Sequence, residues 1–225
     1  MTEVVIRNKE FLKTLDGFVD DFFSRPYDDP KYTIVSSERA KTEPEYFTSR
    51  EYLDECLKGD PIGPPVESVG NPISYMVRQD KEIWHDYMLR VKYDFASEIG
   101  AHTSALLNYY PKGGFVGWHT NHDAHCHQIL FTWSRTGNGY FRYYDKDKDE
   151  IIHIPDVAGW QCRYYYFGRI DEPEHLCWHS AYAGEDRITL AYKFANQSLT
   201  HPDNDKALAM RAALLEDITN DSSDL

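Results

Sequence analysis

The chain has few cysteines, no long apolar run and little positive charge, and each shortage excludes a class of protein. Its four cysteines, Cys56, Cys126, Cys162 and Cys177, form no CxxC pair and no spacing typical of a disulfide framework. We therefore expect reduced thiols in an intracellular protein. No run approaches the roughly 20 apolar residues that a membrane span needs, and the first residues, MTEVVIRNKEF, lack an apolar signal core. The expected location is therefore the cytoplasm.

Charge and composition narrow the class further. The net charge is −13, with 37 acidic against 24 basic residues. An acidic chain gains little from the phosphate neutralisation that dominates nucleic-acid affinity, so nucleic acid is a disfavoured partner. Aromatic residues make up 15% of the chain, including 17 Tyr and 11 Phe, which is typical of a β-rich fold.

The first hundred residues predict helices around an irregular middle. Residues 9–24 place apolar side chains at helical spacing. Residues 26–80 show no clear pattern, and the stretch 59–72, GDPIGPPVESVGNP, is expected to be irregular surface because it is rich in turn formers. Residues 79–99 predict a second helix, which Gly100 ends.

Short strands dominate the rest of the chain. From about residue 103, apolar or alternating runs separated by turns predict a β-sandwich or barrel. Gly137, Asn138 and Gly139 predict a hairpin turn between two of these strands. Residues 204–218 predict a terminal helix, which a polar tail follows.

Helices first, a β core second and one helix last indicate an α+β fold. We expect a single domain over residues 1–225. Within it, residues 1–102 form a helical and irregular N-terminal extension packed on the core, residues 103–196 form the β core, and residues 197–225 form a C-terminal helix and tail.

The segment Asn108–Asp123, NYYPKGGFVGWHTNHD, carries the strongest chemical signal. A strand-like run and a glycine-rich turn lead to His119. Histidine is a common ligand of iron, copper, nickel and zinc. A lone histidine after a turn is more often a polar surface residue, but here His122, His125 and His127 follow closely. The cluster therefore favours a metal site, although a histidine-rich loop can also be incidental.

A second segment, WHSAYAGEDRITLAYKF, supplies another histidine and a basic residue. His179 near the end of a strand is the candidate partner of the first site, and His175, in a loop-like context, competes with it. Arg187 and Thr189 share one face of the last strand, while Ile188 lies on the other. An inward arginine needs an anion, which is either a structural Asp or Glu or the carboxylate of a ligand held bidentately.

These two segments resemble those of a known enzyme superfamily. The first, from Asn108 to His119, resembles the Asn-x-Tyr…His-x-Asp segment of the AlkB-like iron(II)/2-oxoglutarate-dependent dioxygenases. The second resembles the distal His…Arg-x-Ser/Thr strand of the same superfamily, which prolyl-hydroxylase-like members share. The resemblance covers residues 105–195. It implies a double-stranded β-helix, a cupin-like jelly-roll core with helices outside, and iron(II) and 2-oxoglutarate as cofactors.

The resemblance also implies a role for each matching residue. His119 and His179 are metal ligands, and together with Arg187 they form the catalytic group. Arg187 binds the distal carboxylate of 2-oxoglutarate, and the other contacts come from neighbouring strand positions. The implied 2-oxoglutarate-binding positions are Asn108, Tyr110, Arg187 and Thr189.

One position departs from the family pattern. Asn121 stands two residues after His119, where the family has the metal-binding Asp. A neutral amide oxygen is a weaker ligand than a carboxylate. Either the amide binds the metal, or Asp123 replaces it on the same face if the strand continues, or water or an exogenous anion fills the position, as in relatives that halogenate. In a further alternative, the site no longer turns over.

The residues and the resemblance together imply an iron- and 2-oxoglutarate-dependent oxygenase, an oxidoreductase that hydroxylates a small molecule or a peptide side chain. A cupin-type metal enzyme using His125 and His127 is one alternative, although the glutamate expected after such a pair is absent. A non-catalytic jelly-roll binding protein with a degenerate metal site is the other. A ligand surface would then be lined by aromatics, although packing is their plainer role: Trp133, Tyr140, Phe141, Tyr143 and Tyr144.

Overall fold

The computed structural model of the protein describes residues 1–60, 62–123, 125–194 and 205–220. In these ranges the helices, α1 to α7 in chain order, are Lys9–Phe23, Glu38–Thr42, Arg50–Lys58, Ile73–Gln79, Lys81–Leu89, Phe95–Glu98 and Asp205–Thr219. The strands, β1 to β11, are Thr2–Val4, Ile34–Val35, Ser68–Pro72, Thr103–Tyr110, Phe115–His119, Cys126–Ser134, Gly139–Asp145, Glu150–Pro155, Gly159–Phe167, His179–Ala183 and Arg187–Lys193. Short 3-10 helices cover Pro30–Tyr32 and Tyr46–Thr48.

The strands form an antiparallel sheet that curls into two layers. The first layer has the order β1-β9-β6-β11-β4, and the second has the order β5-β10-β7-β8. Strand β3 joins the layers because it pairs with both β4 and β5, and β2 pairs with β3. From β4 onward, consecutive strands cross between the layers except for the hairpin of β7 and β8. This confirms the predicted β core as a jelly-roll-like arrangement with helices outside it.

The outer face of the first layer packs against the helices. On β11, Ile188, Leu190 and Tyr192 enter a large apolar cluster that also includes phenylalanines of α1. This confirms the alternation predicted for the last strand. Burying one such side chain stabilises the fold by about 1.5–3 kcal/mol. Helix α1 begins at Lys9, where the side chain of Asn8 accepts a hydrogen bond from the backbone N–H of Phe11 and caps the helix.

The outer face of the second layer is covered by the segment that contains α2 and α3. Phe47 and Leu53 of this segment pack against Phe115 and Trp118 of β5. The indole N–H of Trp118 donates to the backbone oxygen of Ser49 at 2.7 Å. The two outer faces are therefore both covered, and the space between the layers is left for the inward side chains.

The prediction of irregular surface at 59–72 is wrong for its last five residues. Ser68–Pro72 forms β3, and Gly70 and Asn71 are buried. Turn-forming residues take an extended conformation here because the strand bridges β4 and β5. This is a tertiary effect that local composition does not show.

The predicted helix over 79–99 is interrupted. Asp80 is not helical and separates α4 from α5; its carboxylate accepts a hydrogen bond from Tyr32 at 2.6 Å. A π-helical segment at Arg90–Asp94 follows, and within it the carbonyl of Val91 accepts a 2.6 Å hydrogen bond from the hydroxyl of Tyr192. Gly100 has φ +67° and ends the helical region as predicted.

Two further predictions concern turns and the C-terminus. The segment Gly137–Gly139 forms a turn but not a hairpin, because β6 belongs to the first layer and β7 to the second. The predicted terminal helix is α7, while residues 221–225 of the predicted polar tail NDSSDL lie outside the described residues. All four cysteines are buried, and none is in a disulfide. Among the described residues, no helix combines the length and apolar character that crossing a membrane requires.

Candidate metal and anion site

Two histidines meet inside the core. His119 ends β5, His179 begins β10, and the two residues are direct partners in the antiparallel register. Their ring centroids lie 4.1 Å apart. Both line a cavity of about 160 Å³ between the two layers. The structure therefore brings His179 to His119, and it places His175 in a partly exposed loop.

The hydrogen bonds of both rings leave the same nitrogen available. Nδ1 of His119 lies 2.8 Å from the carbonyl oxygen of Gly117, and Nδ1 of His179 lies 2.9 Å from that of Cys177. Because a carbonyl only accepts, each Nδ1 carries the proton. In a neutral ring, the lone pair of Nε2 is then available to bind a metal ion. This is the arrangement that orients histidine ligands in metal sites.

The surroundings keep both rings neutral. Burial lowers the pKa of His119 below its ordinary value. Burial, and then the charge of His119, lower the pKa of His179 further. Phe141 and Phe167 flank the ring of His179, with centroids at 5.6 and 5.0 Å. Two neutral imidazoles in an apolar setting are suited to binding a metal ion rather than a proton.

No carboxylate of the described residues lines the cavity beside the two histidines. Strand β5 ends at His119, so Asn121 and Asp123 lie in the turn beyond it. Asn121 lines the cavity with both histidines, whereas Asp123 is exposed and is not part of its wall. Among the described residues, no group of three or more His, Cys, Asp or Glu side chains could hold a metal ion.

Arg187 lines the same cavity with its guanidinium almost fully buried. Its Nε donates to Oδ2 of Asp156 at 2.9 Å, and its Nη1 donates to the hydroxyl of Thr189 at 2.7 Å. The side chains of Arg187 and Asp156 are 3% and 0% exposed. The ring of Tyr110 lies 5.8 Å from the guanidinium carbon. The Nε edge is thus committed to the protein, while the described contacts leave Nη2 to the cavity.

Asp156 is a member of this site that the sequence did not reveal. It follows β8, and its second oxygen accepts a 2.8 Å hydrogen bond from the side chain of Gln161. Gly139 makes room for it, because a Cβ at that position would lie 2.5 Å from Oδ2. A lone Asp after Pro155 has no spacing that connects it to Arg187, so no local signal identifies it.

The two remaining predicted cofactor positions differ in placement. Tyr110 and Asn108 on β4 pair with Arg187 and Thr189 of β11 in register and share their face. Tyr110 and Thr189 line the cavity, but Asn108 does not. Asn108 is buried, and its Oδ1 has no hydrogen-bond partner in the described structure.

The histidines of the cupin alternative lie elsewhere. His127 packs on the helix-facing side of β6, where Nδ1 bonds the hydroxyl of Tyr164. His125 precedes β6, and its Nδ1 lies 3.2 Å from the carbonyl of His122. Neither is part of the cavity wall with His179. The structure therefore does not assemble that site.

Most of the aromatic residues considered for a ligand surface pack within the fold. Trp133 lies against the helix-side cluster, and Tyr140 stacks on Tyr182 with centroids 5.5 Å apart. Tyr144 packs against the cluster around Trp118. Phe141 is different, because it lines the cavity.

Fold and site together define a jelly-roll-like protein with a paired-histidine cavity and a buried arginine. No protein-family model and no curated protein matches the chain. Among solved structures, it is similar to OsALKBH1, with 15% identity, a TM-score of 0.30, and coverage of 41% of this chain and 49% of that one. The chain thus spans about half the length of OsALKBH1.

A second similar structure is a prolyl-4-hydroxylase from Pseudomonas putida. It has 15% identity and a TM-score of 0.30, and the match covers 80% of this chain and 98% of that one. At this level of similarity neither structure bears on the activity of the chain.

Proposed function

We propose that the chain is an iron(II)- and 2-oxoglutarate-dependent oxygenase that hydroxylates a small molecule or a peptide side chain. The observation that carries the proposal is the pair of His119 and His179 in one cavity with Arg187. The two histidines would bind a metal ion through their Nε2 atoms, and the positively charged arginine would bind the carboxylate of a ligand. Nucleic acid stays a disfavoured substrate because the chain is acidic.

The donor set fits iron(II) at two positions. Imidazole nitrogens suit iron, and the bonded Nδ1 atoms of His119 and His179 would hold their rings in place. Asn121 is the cavity residue that would supply a third, neutral oxygen ligand, with Asp123 or water as the other options. When bound, iron(II) would activate dioxygen as 2-oxoglutarate is oxidatively decarboxylated to succinate and CO2. The apolar side chains around the pair would exclude bulk water.

The opposite wall fits the distal carboxylate of 2-oxoglutarate. Asp156 accepts from Nε of Arg187 and Thr189 accepts from Nη1, so Nη2 would be free to bind a ligand carboxylate. Thr189 and Tyr110 line the wall beside it and would add hydroxyl groups. The two interpretations of this arginine, a structural ion pair and a carboxylate-binding group, are thus compatible, because each uses a different edge.

We assign the core to the double-stranded β-helix class on its strand order. From β4 onward, β9-β6-β11-β4 and β5-β10-β7-β8 form two four-stranded layers that the chain visits alternately, except at the β7–β8 hairpin. This order supports the assignment because it puts the end of β5 beside the start of β10, where the two histidines lie.

Succinate formation tests the proposal. Iron(II)-loaded protein with 2-oxoglutarate and oxygen should form succinate above the no-protein rate even without a known substrate, through uncoupled turnover. His119→Ala and His179→Ala should reduce this rate to background. His102→Ala, at an exposed position, is the matched control and should leave it unchanged. Background succinate from fully iron-loaded wild-type protein, with every substrate class tried, would count against the oxygenase.

A non-catalytic binding protein is the second candidate. It is favoured by the missing third carboxylate, since a neutral amide at Asn121 holds a metal weakly. In that case His179→Ala should leave the affinity for a small-molecule ligand unchanged, whereas in the oxygenase it should abolish metal binding. Isothermal titration of metal and of 2-oxoglutarate, separately and together, distinguishes the two candidates, because only the oxygenase requires binding of one to strengthen the other.

A further inference from the structure

A second buried arginine, Arg163, lies two residues from Gln161 on β9, and the side chain of Gln161 donates to the Asp156 carboxylate that binds Arg187. Arg163 on β9 pairs in register with Leu130 of β6, which lines the cavity, and with Glu3 of β1. Its chain neighbours Cys162 and Tyr164 belong to the helix-side cluster. Because side chains alternate along a strand, Arg163 projects from the opposite face, between the two layers. It is only 8% exposed.

Arg163 has no carboxylate partner in the described part of the chain. No Asp or Glu oxygen of the described residues lies within ion-pair distance of it, whereas Arg187 has Asp156. Burial lowers the pKa of the Arg163 guanidinium. The negative charges of Asp156 and, to a smaller extent, Glu3 raise this pKa, and the positive charge of Arg187 lowers it. The carboxylate of Asp156 therefore interacts electrostatically with both arginines, although it already accepts hydrogen bonds from Arg187 and Gln161.

The group is left with an excess positive charge. Two guanidinium groups, of Arg163 and Arg187, stand against the single buried carboxylate of Asp156. Glu3 is exposed, so water and salt screen its charge. A largely buried cation without a counter-charge is unfavourable, and an anionic ligand would offset it. This cationic spot is found in a chain whose net charge is −13.

We infer that Arg163 is a specificity residue for an anionic ligand at the Arg187 end of the cavity: its unpaired charge favours a ligand that carries a carboxylate there over a neutral ligand of the same shape. The inference deepens the proposed function and rests on it. Arg163 acts through its field and makes no contact with the ligand, and Arg187 provides the contact.

Two 2-oxo acids of equal chain length make the test specific. 2-Oxoglutarate carries the distal carboxylate, and 2-oxopentanoate has a methyl group in its place. Anaerobic titration calorimetry on iron(II)-loaded protein gives both dissociation constants. Arg163→Gln should weaken 2-oxoglutarate about tenfold, as expected for one charge at an intermediate dielectric, and 2-oxopentanoate less than about twofold. Arg163→Lys keeps the charge and should stay within about threefold of wild type.

The matched control is Arg135→Gln, which removes one positive charge at an exposed position near Asp186 and should change neither constant. Because only a field effect is screened, the difference between wild type and Arg163→Gln should shrink as salt rises. Equal weakening of both acids by Arg163→Gln would mean that the residue is only structural. No weakening of either would mean that Glu3 and water already compensate its charge.

A metal-free measurement separates this inference from the oxygenase proposal. Glutarate has the carboxylate spacing of 2-oxoglutarate but does not chelate iron through a 2-oxo group. It should raise the melting temperature of the metal-free wild-type protein more than that of Arg163→Gln. If glutarate stabilises the wild type while succinate formation fails, the oxygenase is wrong and the anion subsite stands. If glutarate stabilises both proteins equally or neither, the inference is overturned.

Discussion

Replacing Arg187 by lysine tests the proposed carboxylate-binding wall of the cavity while the positive charge is kept. The arginine makes two bonds at once, from Nε to Asp156 at 2.9 Å and from Nη1 to Thr189 at 2.7 Å. A lysine ammonium is a point charge on a flexible stem and does not reproduce this planar fork. If it stays with Asp156, it turns away from the ligand.

The size of the effect follows from the bonds lost. A hydrogen bond to a charged group is worth about 1.5–3 kcal/mol, and about 1.4 kcal/mol corresponds to a tenfold change in affinity. Arg187→Lys should therefore raise the dissociation constant of 2-oxoglutarate by about tenfold to hundredfold. The free energy of unfolding should fall by about 1.5–3 kcal/mol, because the bond to Thr189 is lost inside the core.

Anaerobic calorimetry with iron(II) and 2-oxoglutarate, together with urea unfolding, measures both quantities. Arg135→Lys is the control, since the ion pair of Arg135 with Asp186 is partly exposed and contributes about 0–1 kcal/mol. A folded Arg187→Lys protein with wild-type affinity for 2-oxoglutarate would refute the assignment. Arg187 would then be a structural partner of Asp156 and nothing more.

Three further predictions concern the same site. Asp156→Asn should lower the free energy of unfolding by about 3–5 kcal/mol in urea denaturation, because it leaves a buried guanidinium without its carboxylate. Gly139→Ala should cost about 1–3 kcal/mol, since its Cβ would meet that carboxylate at 2.5 Å, whereas Gly17→Ala, on an exposed helix position with nothing within 4 Å, should stabilise by up to about 1 kcal/mol. The pKa values of His119 and His179 are lower in the folded protein than in the unfolded chain, so the unfolded chain takes up protons at a higher pH. The metal-free protein should therefore lose stability as pH falls below 6.5. His179→Gln should flatten that loss in unfolding titrations between pH 7.5 and 5.5, and an unchanged slope would contradict it.

The sequence indicated which residues meet in the cavity, because these residues lie on regular strands. Alternation along β11 placed Ile188 and Leu190 on the helix side and Arg187 on the other, as observed. His119 and His179 are 60 positions apart, and the pairing of β5 with β10 brings them together. The order of short motifs was enough to suggest this pairing, although it did not determine the register.

Other parts of the site depend on long-range packing that has no local pattern. Asp156 reaches Arg187 from the far end of β8, and Arg163 shows no periodicity that marks it as buried without a partner. Strand β3 forms from turn-rich sequence because its backbone pairs with both β4 and β5. The turn at Gly137–Gly139 was recognised, but composition does not reveal that it carries the chain from one layer to the other.

Anomalous diffraction at the iron edge, from anaerobic crystals grown with iron(II) and 2-oxoglutarate, tests the central claim most directly. We predict a single strong peak within bonding distance of Nε2 of His119 and Nε2 of His179, with a carboxylate of 2-oxoglutarate on Nη2 of Arg187. The same map identifies the third ligand as Asn121, Asp123 or water. A peak at His122 or His125 instead, or no peak between the paired rings at full iron occupancy in solution, would contradict the account.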